Sequence, residues 1–363
     1  MDEAASAAFV PGAAREKSRM ITVSTDSRHR GSPRWQAQMS EAITCPQTLI
    51  QALGLNSALV GPARAVATKF RLRVPLSYVA RMRHGDPDDP LLRQVLPLAA
   101  EADATPGYIA DPLGEATARR APGLLQKYRG RALLITTSAC AVHCRYCFRR
   151  EFPYSEQSGD GPRFREALQE IARDASLEEI ILSGGDPLSL SDARLAMLTN
   201  ELAAIPHIKR LRVHTRQPIV LPARVDAGLS SWLRALPWPI VFVLHANHPN
   251  EIDAEVRSAC AQLRALGVTL LNQTVLLRGV NDDADVLAEL SRSLFEAGVL
   301  PYYLHMLDRV TGTAHFDVPE TRARQLAGEL TARLPGYLVP RLVREVEGAA
   351  SKVALTGIPV PQK

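Results

Sequence analysis

The sequence has no long hydrophobic run, no block of like charge and no secretory leader. None of its 363 residues lies in an uninterrupted apolar stretch approaching 18 residues, which excludes a transmembrane helix. The chain begins Met1-Asp2-Glu3, without the basic and apolar segments of a signal peptide. At a net charge of +5 it contains no run of five basic residues, which gives no support to nucleic-acid binding. We therefore predict a cytoplasmic protein that binds neither membranes nor nucleic acids.

Cysteines and lysines are also scarce, and each shortage limits the kinds of site that the chain can form. Five cysteines, an odd number in a chain without a secretion signal, argue against a framework of disulfides. Only six of the 43 basic residues are lysines, so chemistry that needs an uncharged amine has few candidate residues. What the chain does have is a hydrophobic content of 46%, which is enough to form a sizeable core.

The chain divides into four predicted parts. Residues 1–30 lack usable periodicity and are predicted to form a disordered extension. Residues 31–125 carry helical patterns such as PQTLIQALGL, interrupted by prolines, and are predicted to form an N-terminal helical region. A βα domain is predicted over residues 126–335. Residues 336–363 are predicted to form a C-terminal segment with one more β-like run, Tyr337–Glu345.

The predicted βα domain alternates short β-rich runs with amphipathic stretches such as Ile252–Leu266. The runs recur about every 30 residues after the first interval, which is the length of a strand–helix–strand unit. They are Ala132–Thr137, Glu179–Ser183, Arg210–Thr215, Ile240–Leu244, Val268–Leu276 and Leu300–Met306. Eight units would close a barrel, so six predict an α/β fold with an open, partial (β/α)6 barrel of TIM type. A doubly wound open sheet is the alternative, and in both folds the site lies at the carboxyl ends of the strands.

Three of the five cysteines form a cluster, Cys140-Ala-Val-His-Cys144-Arg-Tyr-Cys147, with the spacing C-x3-C-x2-C. The cluster follows the first β-rich run directly, which predicts a loop at the carboxyl end of a strand. Iron–sulfur clusters are normally held by thiolates, and three of them leave one iron of a four-iron cluster open to a small ligand. A zinc site that includes His143 is the alternative, although the paired C-x2-C spacing of structural zinc sites is missing.

The cysteine loop after the first strand of a six-unit barrel resembles the radical S-adenosylmethionine (SAM) superfamily. YCFRREFPY, LSGGDPL, HTRQPIVLPARV, HPNEID, LLNQTVLLRGVND and PYYLHMLDRVTGTAHF narrow the resemblance to the lysine 2,3-aminomutase family. Within that family, the chain is most similar to the shorter branch that supplies β-lysine for modifying elongation factor P. The resemblance runs from about Trp35 to Lys352. It implies a [4Fe-4S] cluster on Cys140, Cys144 and Cys147, and SAM on the open iron.

The resemblance also implies the residues that contact the two organic cofactors. Ser183-Gly184-Gly185-Asp186 is similar to the family's Gly-Gly-Glu segment, which contacts the methionyl group of SAM; here Asp replaces Glu. Pyridoxal 5′-phosphate (PLP) is implied as a Schiff base on Lys352, whose amine must be uncharged part of the time. Arg131 and, as a lesser partner, Tyr128 are implied at the cofactor phosphate. Without the resemblance, Lys352 would be a solvated tail lysine; Lys127 is the next candidate for the Schiff base.

The implied substrate is L-lysine. Arg149 matches the family's carboxylate-binding arginine, because a guanidinium pairs bidentately with a carboxylate. Asp308 and Glu345 match the two acids that hold the ε-ammonium group, with Glu in place of the usual Asp at 345. A buried acid pair is costly without a cation, which a lysine substrate supplies. The alternative is that Glu345 pairs with Arg344 or Arg341 on a strand face.

These implications together predict an isomerase that converts L-α-lysine to β-lysine, with an electron-donating reductant and with a functional link to elongation factor P and its lysyl ligase. An aminomutase for arginine or glutamate, and an iron–sulfur or zinc module without catalysis, are the alternatives. The longer relatives continue past the PLP lysine into a zinc-binding, oligomerising extension. Since this sequence has no cysteine after Cys260, we expect no zinc and a monomer or weak dimer.

Overall fold

The computed structural model describes residues 34–154 and 161–359. The predicted disordered extension, residues 1–30, lies outside the described residues, as do the last four residues of the chain. Within the described residues, no helix has the length and apolar character needed to cross a membrane.

Five short helices form the N-terminal region. They are α1 (Arg34–Ser40), α2 (Pro46–Ala52), α3 (Val60–Ala67), α4 (Leu76–Val79) and α5 (Pro90–Arg93). Pro46 and Pro90 occupy the first turns of their helices, where the missing amide hydrogen costs no helical hydrogen bond. The apolar faces pack into one core that includes Trp35, Tyr78 and Leu92. The predicted helical pattern is therefore present, but each helix is short.

The end of the predicted helical region is wrong in one respect. Two antiparallel strands, β1 (Arg119–Ala121) and β2 (Leu124–Tyr128), lie at this point, so the region predicted as helical over residues 31–125 ends in strand. Gly123 lies between them with a φ of 76°, a conformation that favours glycine and allows the chain to reverse. β2 pairs with the first strand of the parallel sheet, so this hairpin extends the sheet at one edge.

The sheet has ten strands in the described residues, and their order in space is their order in the chain. The parallel strands are β3 (Arg131–Thr137), β4 (Glu179–Gly184), β5 (Arg210–Thr215), β6 (Ile240–Leu244), β7 (Thr269–Val275), β8 (Leu300–His305) and β9 (Arg341–Arg344). A doubly wound sheet must reverse its strand order at one point, and this sheet does not. Since its ends are not paired with each other, the fold is a partial barrel, as predicted.

The six β-rich runs in the sequence match β3 to β8 closely. The seventh, Tyr337–Glu345, is strand only over β9, because Gly336–Leu338 forms a 3-10 turn and Pro340 has no amide hydrogen for a ladder. A last short strand, β10 (Val353–Ala354), pairs antiparallel with β9. The sequence pattern did not indicate β10, because two exposed residues carry no periodicity.

Helices cover the outer face of the parallel strands. In chain order the helices after the cysteine loop are α6 (Gly161–Arg173), α7 (Asp192–Ala203), α8 (Gln217–Val220), α9 (Ala227–Ala235), α10 (Ala254–Ala265), α11 (Ala284–Glu296) and α12 (Glu320–Arg333). The short α8 is the exception, because it lies at the carboxyl end of β5 and packs against the N-terminal core. Asp226, Asp253 and Asp283 cap α9, α10 and α11, accepting hydrogen bonds from backbone amides of the first turn. The predicted amphipathic helix is α10, which buries Val256, Ala259, Cys260 and Leu263 against the strands. This packing leaves the loops at the carboxyl ends of the strands free to form a site.

Candidate active site

One cavity of about 480 Å³ opens at the carboxyl ends of the parallel strands. All of the site residues predicted from the sequence line it, although they come from distant parts of the chain. They are Tyr128, Arg131, Cys140, Cys144, Cys147, Arg149, Ser183, Gly184, Gly185, Asp186, Asp308, Glu345 and Lys352. The fold therefore brings the cysteine cluster and the C-terminal lysine into a single chamber.

The N-terminal region holds the cysteine loop from outside the chamber. Ala141 and Val142 pack into the core of the N-terminal helices. Arg145 and Arg150 both pair with the buried carboxylate of Glu101, and both guanidinium groups lie over the ring of Phe70, within 5 Å of its centroid. These contacts fix the loop so that its sulfur atoms face the cavity.

His143 does not share the environment of the three cysteines. Its Nδ1 lies 2.9 Å from the carbonyl oxygen of Arg71, and its ring stacks on Phe70. The histidine in the loop is thus engaged by the N-terminal region. Within residues 34–154 and 161–359, no group of three or more histidine, cysteine or acidic residues is arranged to hold a single metal ion.

The three cluster thiols are free, and the pKa values of two of them are raised by their surroundings. Burial raises the pKa of Cys140 well above its usual value, and the charges of Asp186, Cys147 and Cys144 raise it further. Burial and the charge of Cys144 raise the pKa of Cys147 to about 11. Because their pKa values are raised, Cys140 and Cys147 need a cationic partner to be held as thiolates, and a bound metal supplies one.

Two glycines at the end of β4 allow a close approach to the end of β3 and to the start of the cysteine loop. A Cβ atom on Gly185 would lie 2.4 Å from the carbonyl oxygen of Ala139, and one on Gly184 would lie 2.6 Å from that of Thr137. Gly184 also has a φ of 127°, which side chains rarely adopt. The amide of Gly185 donates to Thr137 and that of Asp186 donates to Ala139, so the two segments are hydrogen-bonded where they meet.

The carboxylate of Asp186 is turned toward protein groups. It accepts hydrogen bonds from the hydroxyl of Thr215 and from the backbone amides of Leu188, Arg216 and Gln217. Burial nonetheless raises its pKa, and these hydrogen bonds oppose that effect. In this arrangement Asp186 ties the end of β4 to the end of β5, while Ser183 and the two glycines line the cavity.

Arg149 is buried beside Ser183 and is held by an acid that the sequence analysis did not identify. Its Nε and Nη2 donate to the two carboxylate oxygens of Glu115 at 2.8 and 2.7 Å, and its Nη1 donates to Ser183 Oγ at 2.9 Å. The bidentate pair with Glu115 fixes the plane of the guanidinium group. No local pattern marks Glu115, because it lies in irregular chain before β1.

A hairpin delivers Lys352 to the cavity. Val353 in β10 pairs with Arg344 in β9, so the residues just outside this pair, Lys352 and Glu345, lie opposite each other. The ammonium group of Lys352 forms a salt bridge with Glu345, whose other oxygen is 3.1 Å from Nζ of Lys127. The separation of seven residues between Glu345 and Lys352 is therefore the length of one hairpin loop.

Glu345 belongs to the cavity and not to the outer face of its strand. Arg344 pairs with Glu320 on the outside, at 2.8 Å, which argues against the alternative pairing with Glu345. Burial would raise the pKa of Glu345, but the charges of Lys352 and Lys127 outweigh it and lower the pKa to about 2. For Asp308, burial and the charge of Glu345 raise the pKa to about 7.

Comparisons with known proteins identify the family. The Radical SAM superfamily model matches residues 134–290. The chain is 49% identical to an L-lysine 2,3-aminomutase of Escherichia coli, over 93% of this chain and 97% of that protein. The chain belongs to the lysine 2,3-aminomutase family. It is also 44% identical to the L-lysine 2,3-aminomutase of Haemophilus influenzae, over 89% of this chain and 96% of that protein. It is 34% identical to the L-lysine 2,3-aminomutase of Clostridium subterminale, over 88% of this chain and 76% of that protein.

Membership in the lysine 2,3-aminomutase family makes the protein an isomerase of the radical SAM superfamily, which implies a [4Fe-4S] cluster and SAM. The donor set fits such a cluster. In a four-iron cluster each thiolate binds a different iron, so the sulfur atoms must surround a volume and need not meet at one point.

Three histidines on the cavity wall have buried Nε2 atoms without a hydrogen-bond partner among the described residues. They are His214, His245 and His305, and such unpartnered polar atoms are expected in a cavity that holds ligands.

The groups near Lys352 fit a phosphate-bearing aromatic cofactor. The guanidinium of Arg131 lies 4.7 Å from the ring centroid of Tyr128 and has no ion-pair partner in the described part of the chain. Burial and the charge of Glu345 raise the pKa of Tyr128, which keeps its hydroxyl protonated as a donor. The ring of Tyr303 lies 5.9 Å from Nζ of Lys352. Tyr303 is a site residue that sequence reasoning missed, although the quoted segment PYYLHMLD contains it.

Proposed function

We propose that the protein converts L-α-lysine to β-lysine by moving the amino group between neighbouring carbons, using a [4Fe-4S] cluster, SAM and PLP. One observation carries the proposal. The acids Asp308 and Glu345, the amine of Lys352 and the three cluster thiols all face one cavity of about 480 Å³. The relatives named L-lysine 2,3-aminomutase support the same substrate.

Each cofactor has a set of residues that would hold it. When bound, the cluster and SAM supply a carbon radical that removes a hydrogen atom, and PLP supplies a carbonyl that bonds the amino group. Cys140, Cys144 and Cys147 would ligate three irons. Ser183, Gly184 and Gly185 would contact SAM, while Asp186 holds the segment in place. Lys352 would bond PLP, with Arg131 and Tyr128 donating to its phosphate.

The substrate-binding groups distinguish the two ends of lysine. Arg149 would bind the α-carboxylate through the part of its guanidinium group that faces the cavity, since Glu115 already fixes its plane. Asp308 and Glu345 would bind the ε-ammonium group. A glutamate substrate would instead place a third carboxylate beside two acids, and a like charge in a buried site is disfavoured. The acid pair therefore favours a cationic substrate.

The link to elongation factor P belongs to this proposal as well. It is supported by the sequence resemblance to the shorter branch and by the higher identity to the Escherichia coli relative, 49%, than to the Clostridium relative, 34%. We also place the protein in the cytoplasm with its translation-factor partner, as a monomer or weak dimer. A separate lysyl ligase would consume the β-lysine, and an electron-donating reductant would reduce the cluster.

The test is an anaerobic incubation of the protein with SAM, PLP, dithionite and one amino acid, analysed by mass spectrometry after chromatography. Lysine is expected to give β-lysine, while arginine and glutamate remain unchanged. Glu345→Gln should lose most of this turnover, and Glu320→Gln, which alters an acid outside the cavity, should retain it. Turnover of arginine or glutamate in place of lysine would contradict the substrate assignment.

A further inference from the structure

A buried arginine touches one of the three cluster cysteines. Arg216 follows β5 directly, and its Nη1 donates to Sγ of Cys144 at 2.7 Å. Its other terminal nitrogen, Nη2, donates to Gln94 Oε1 at 2.6 Å and to Glu251 Oε2 at 2.9 Å. We propose that Arg216 raises the reduction potential of the cluster through its contact with the Cys144 sulfur. This inference rests on the proposed function, which places a cluster at Cys140, Cys144 and Cys147.

The position of Arg216 is fixed by groups from three parts of the fold. Tyr78 comes from α4, Gln94 directly follows α5, and Glu251 comes from the loop after β6. The hydroxyl of Tyr78 lies 3.2 Å from Nη2 of Arg216, and the side-chain amide of Gln94 donates to Glu251 Oε1 at 3.1 Å. Asn247 donates to Gln94 Oε1 at 3.0 Å. All of these partner side chains are buried, so the guanidinium group is held in one place beside the sulfur.

The direction of the effect follows from the charge of the cluster. One-electron reduction adds a negative charge, part of which is carried by the sulfur ligands. A positive charge and an N–H donor at a ligand sulfur stabilise the more negative state, and hydrogen bonds to sulfur are among the factors that set cluster potentials. Because Arg216 is buried, the interaction is stronger than it would be at an exposed site. Arg216 should therefore make the cluster easier to reduce.

Cys144 differs from the other two cysteines in this respect. In the described part of the chain, no side chain donates a hydrogen bond to the sulfur of Cys140 or Cys147. Glu251 pairs with the terminal nitrogen of Arg216 that does not contact sulfur, so it orients the guanidinium and leaves Nη1 for the cysteine. The structure thus assigns the tuning interaction to one cluster ligand.

The experiment compares reduction potentials of the reconstituted cluster in the full-length protein without SAM, by redox titration followed by electron paramagnetic resonance. Arg216→Met combined with Glu251→Gln removes both charges together, which avoids leaving a lone buried anion. Arg216→Lys keeps the charge but loses the fixed two-nitrogen geometry. Arg224→Lys is the matched control, because Arg224 is equally buried and paired with Asp192 but contacts no residue of the cysteine loop. Iron and sulfide per chain are measured for every variant.

The double variant should make reduction at least about tenfold less favourable, a potential more negative by about 59 mV for one electron. Arg216→Lys should lie between it and the wild type, and Arg224→Lys should match the wild type. Unchanged reduction potentials at full iron content would overturn the proposal. Weaker SAM binding in the same variants would not rescue it, because Arg216 would then contribute to SAM binding and not to the potential. Loss of the cluster from both Arg216 variants would assign Arg216 to cluster retention and equally overturn it. A wild type that assembles no four-iron cluster would refute the proposed function itself.

Discussion

Two acids in the same cavity have pKa values displaced in opposite directions. Glu345 contacts two lysines, which lower its pKa to about 2 against the effect of burial. The pKa of Asp308 is raised to about 7 by burial and by the charge of Glu345, and the charges of the same two lysines lower it only in part. Near neutral pH, Glu345 is therefore the permanent anion, and Asp308 ionises fully when a further cation arrives. A substrate ammonium group is such a cation.

Asp308→Asn tests this difference through the pH dependence of stability. Because the pKa of Asp308 is raised on folding, the native state holds its proton more tightly than the unfolded state does. Its contribution is complete below about pH 4 and is lost as the pH rises to about 7. The stability of Asp308→Asn relative to the wild type should rise between these values and stay constant above pH 7, measured by chemical unfolding of the cofactor-free protein.

Glu178→Gln is the control for the Asp308 experiment. Hydrogen bonds from Arg210 and Lys209 lower the pKa of Glu178, so its contribution is present above about pH 4.5 and is lost only as the pH falls. The difference between Glu178→Gln and the wild type should be constant from pH 5 to 8. If Asp308→Asn gave the same flat profile, the raised pKa of Asp308 would be wrong.

At the scale of elements, the contact between β4 and the cysteine loop has the least room for change. Gly184 approaches Thr137 at the end of β3, and Gly185 approaches Ala139 at the start of the loop. The nearest atoms to an added Cβ are backbone oxygens, which cannot move aside without moving these segments. The two glycines therefore set how closely the cysteines approach the segment proposed to bind SAM.

Gly185→Ala is expected to separate these elements. Its new Cβ would lie 2.4 Å from the Ala139 oxygen, and overpacking of this kind costs about 1–3 kcal/mol. Both the urea midpoint and the iron content after reconstitution should fall. Gly61→Ala is the control: it lies in α3 with no atom within 4 Å, and it should stabilise the protein by about 0.5–1 kcal/mol. An iron content equal to that of the wild type in Gly185→Ala would show that the loop tolerates displacement.

Much of this element structure could be predicted from periodicity. The buried strand β4 contains a short apolar run, Ile180–Leu182, that marks it in the sequence, and α10 gives a clear helical period. The hairpin of β1 and β2 could not be predicted, because the sequence of β2, LLQKY, is short and its pairing with β3 is a tertiary contact. Glu115 was missed for the same reason: its bidentate contact with Arg149 spans 34 residues of chain and leaves no local pattern.

At the scale of the molecule, the site is assembled from two ends of the chain. The N-terminal helices hold the cysteine loop through Glu101 and Phe70, and the C-terminal hairpin brings Lys352 to the same cavity. The resemblance identified both groups of residues, and the strand order explains why they meet. In a parallel sheet whose order follows the chain, every carboxyl end lies at one rim. Arg216, which links the rim to the N-terminal helices, could not be assigned from sequence, because its partners come from three elements.

The most direct test of this account measures iron and covalently bound PLP, trapped with borohydride, in Lys352→Ala and Cys144→Ala. Lys352→Ala should lose the covalent PLP and keep the iron, because Lys352 is not one of the three proposed iron ligands. Cys144→Ala should lose iron and keep the covalent PLP, because one of three thiolates is missing. Neither variant should form β-lysine. If Lys352→Ala retained trapped PLP and full turnover, the assignment of Lys352 would be contradicted, and Lys127, which also contacts Glu345, would take its place.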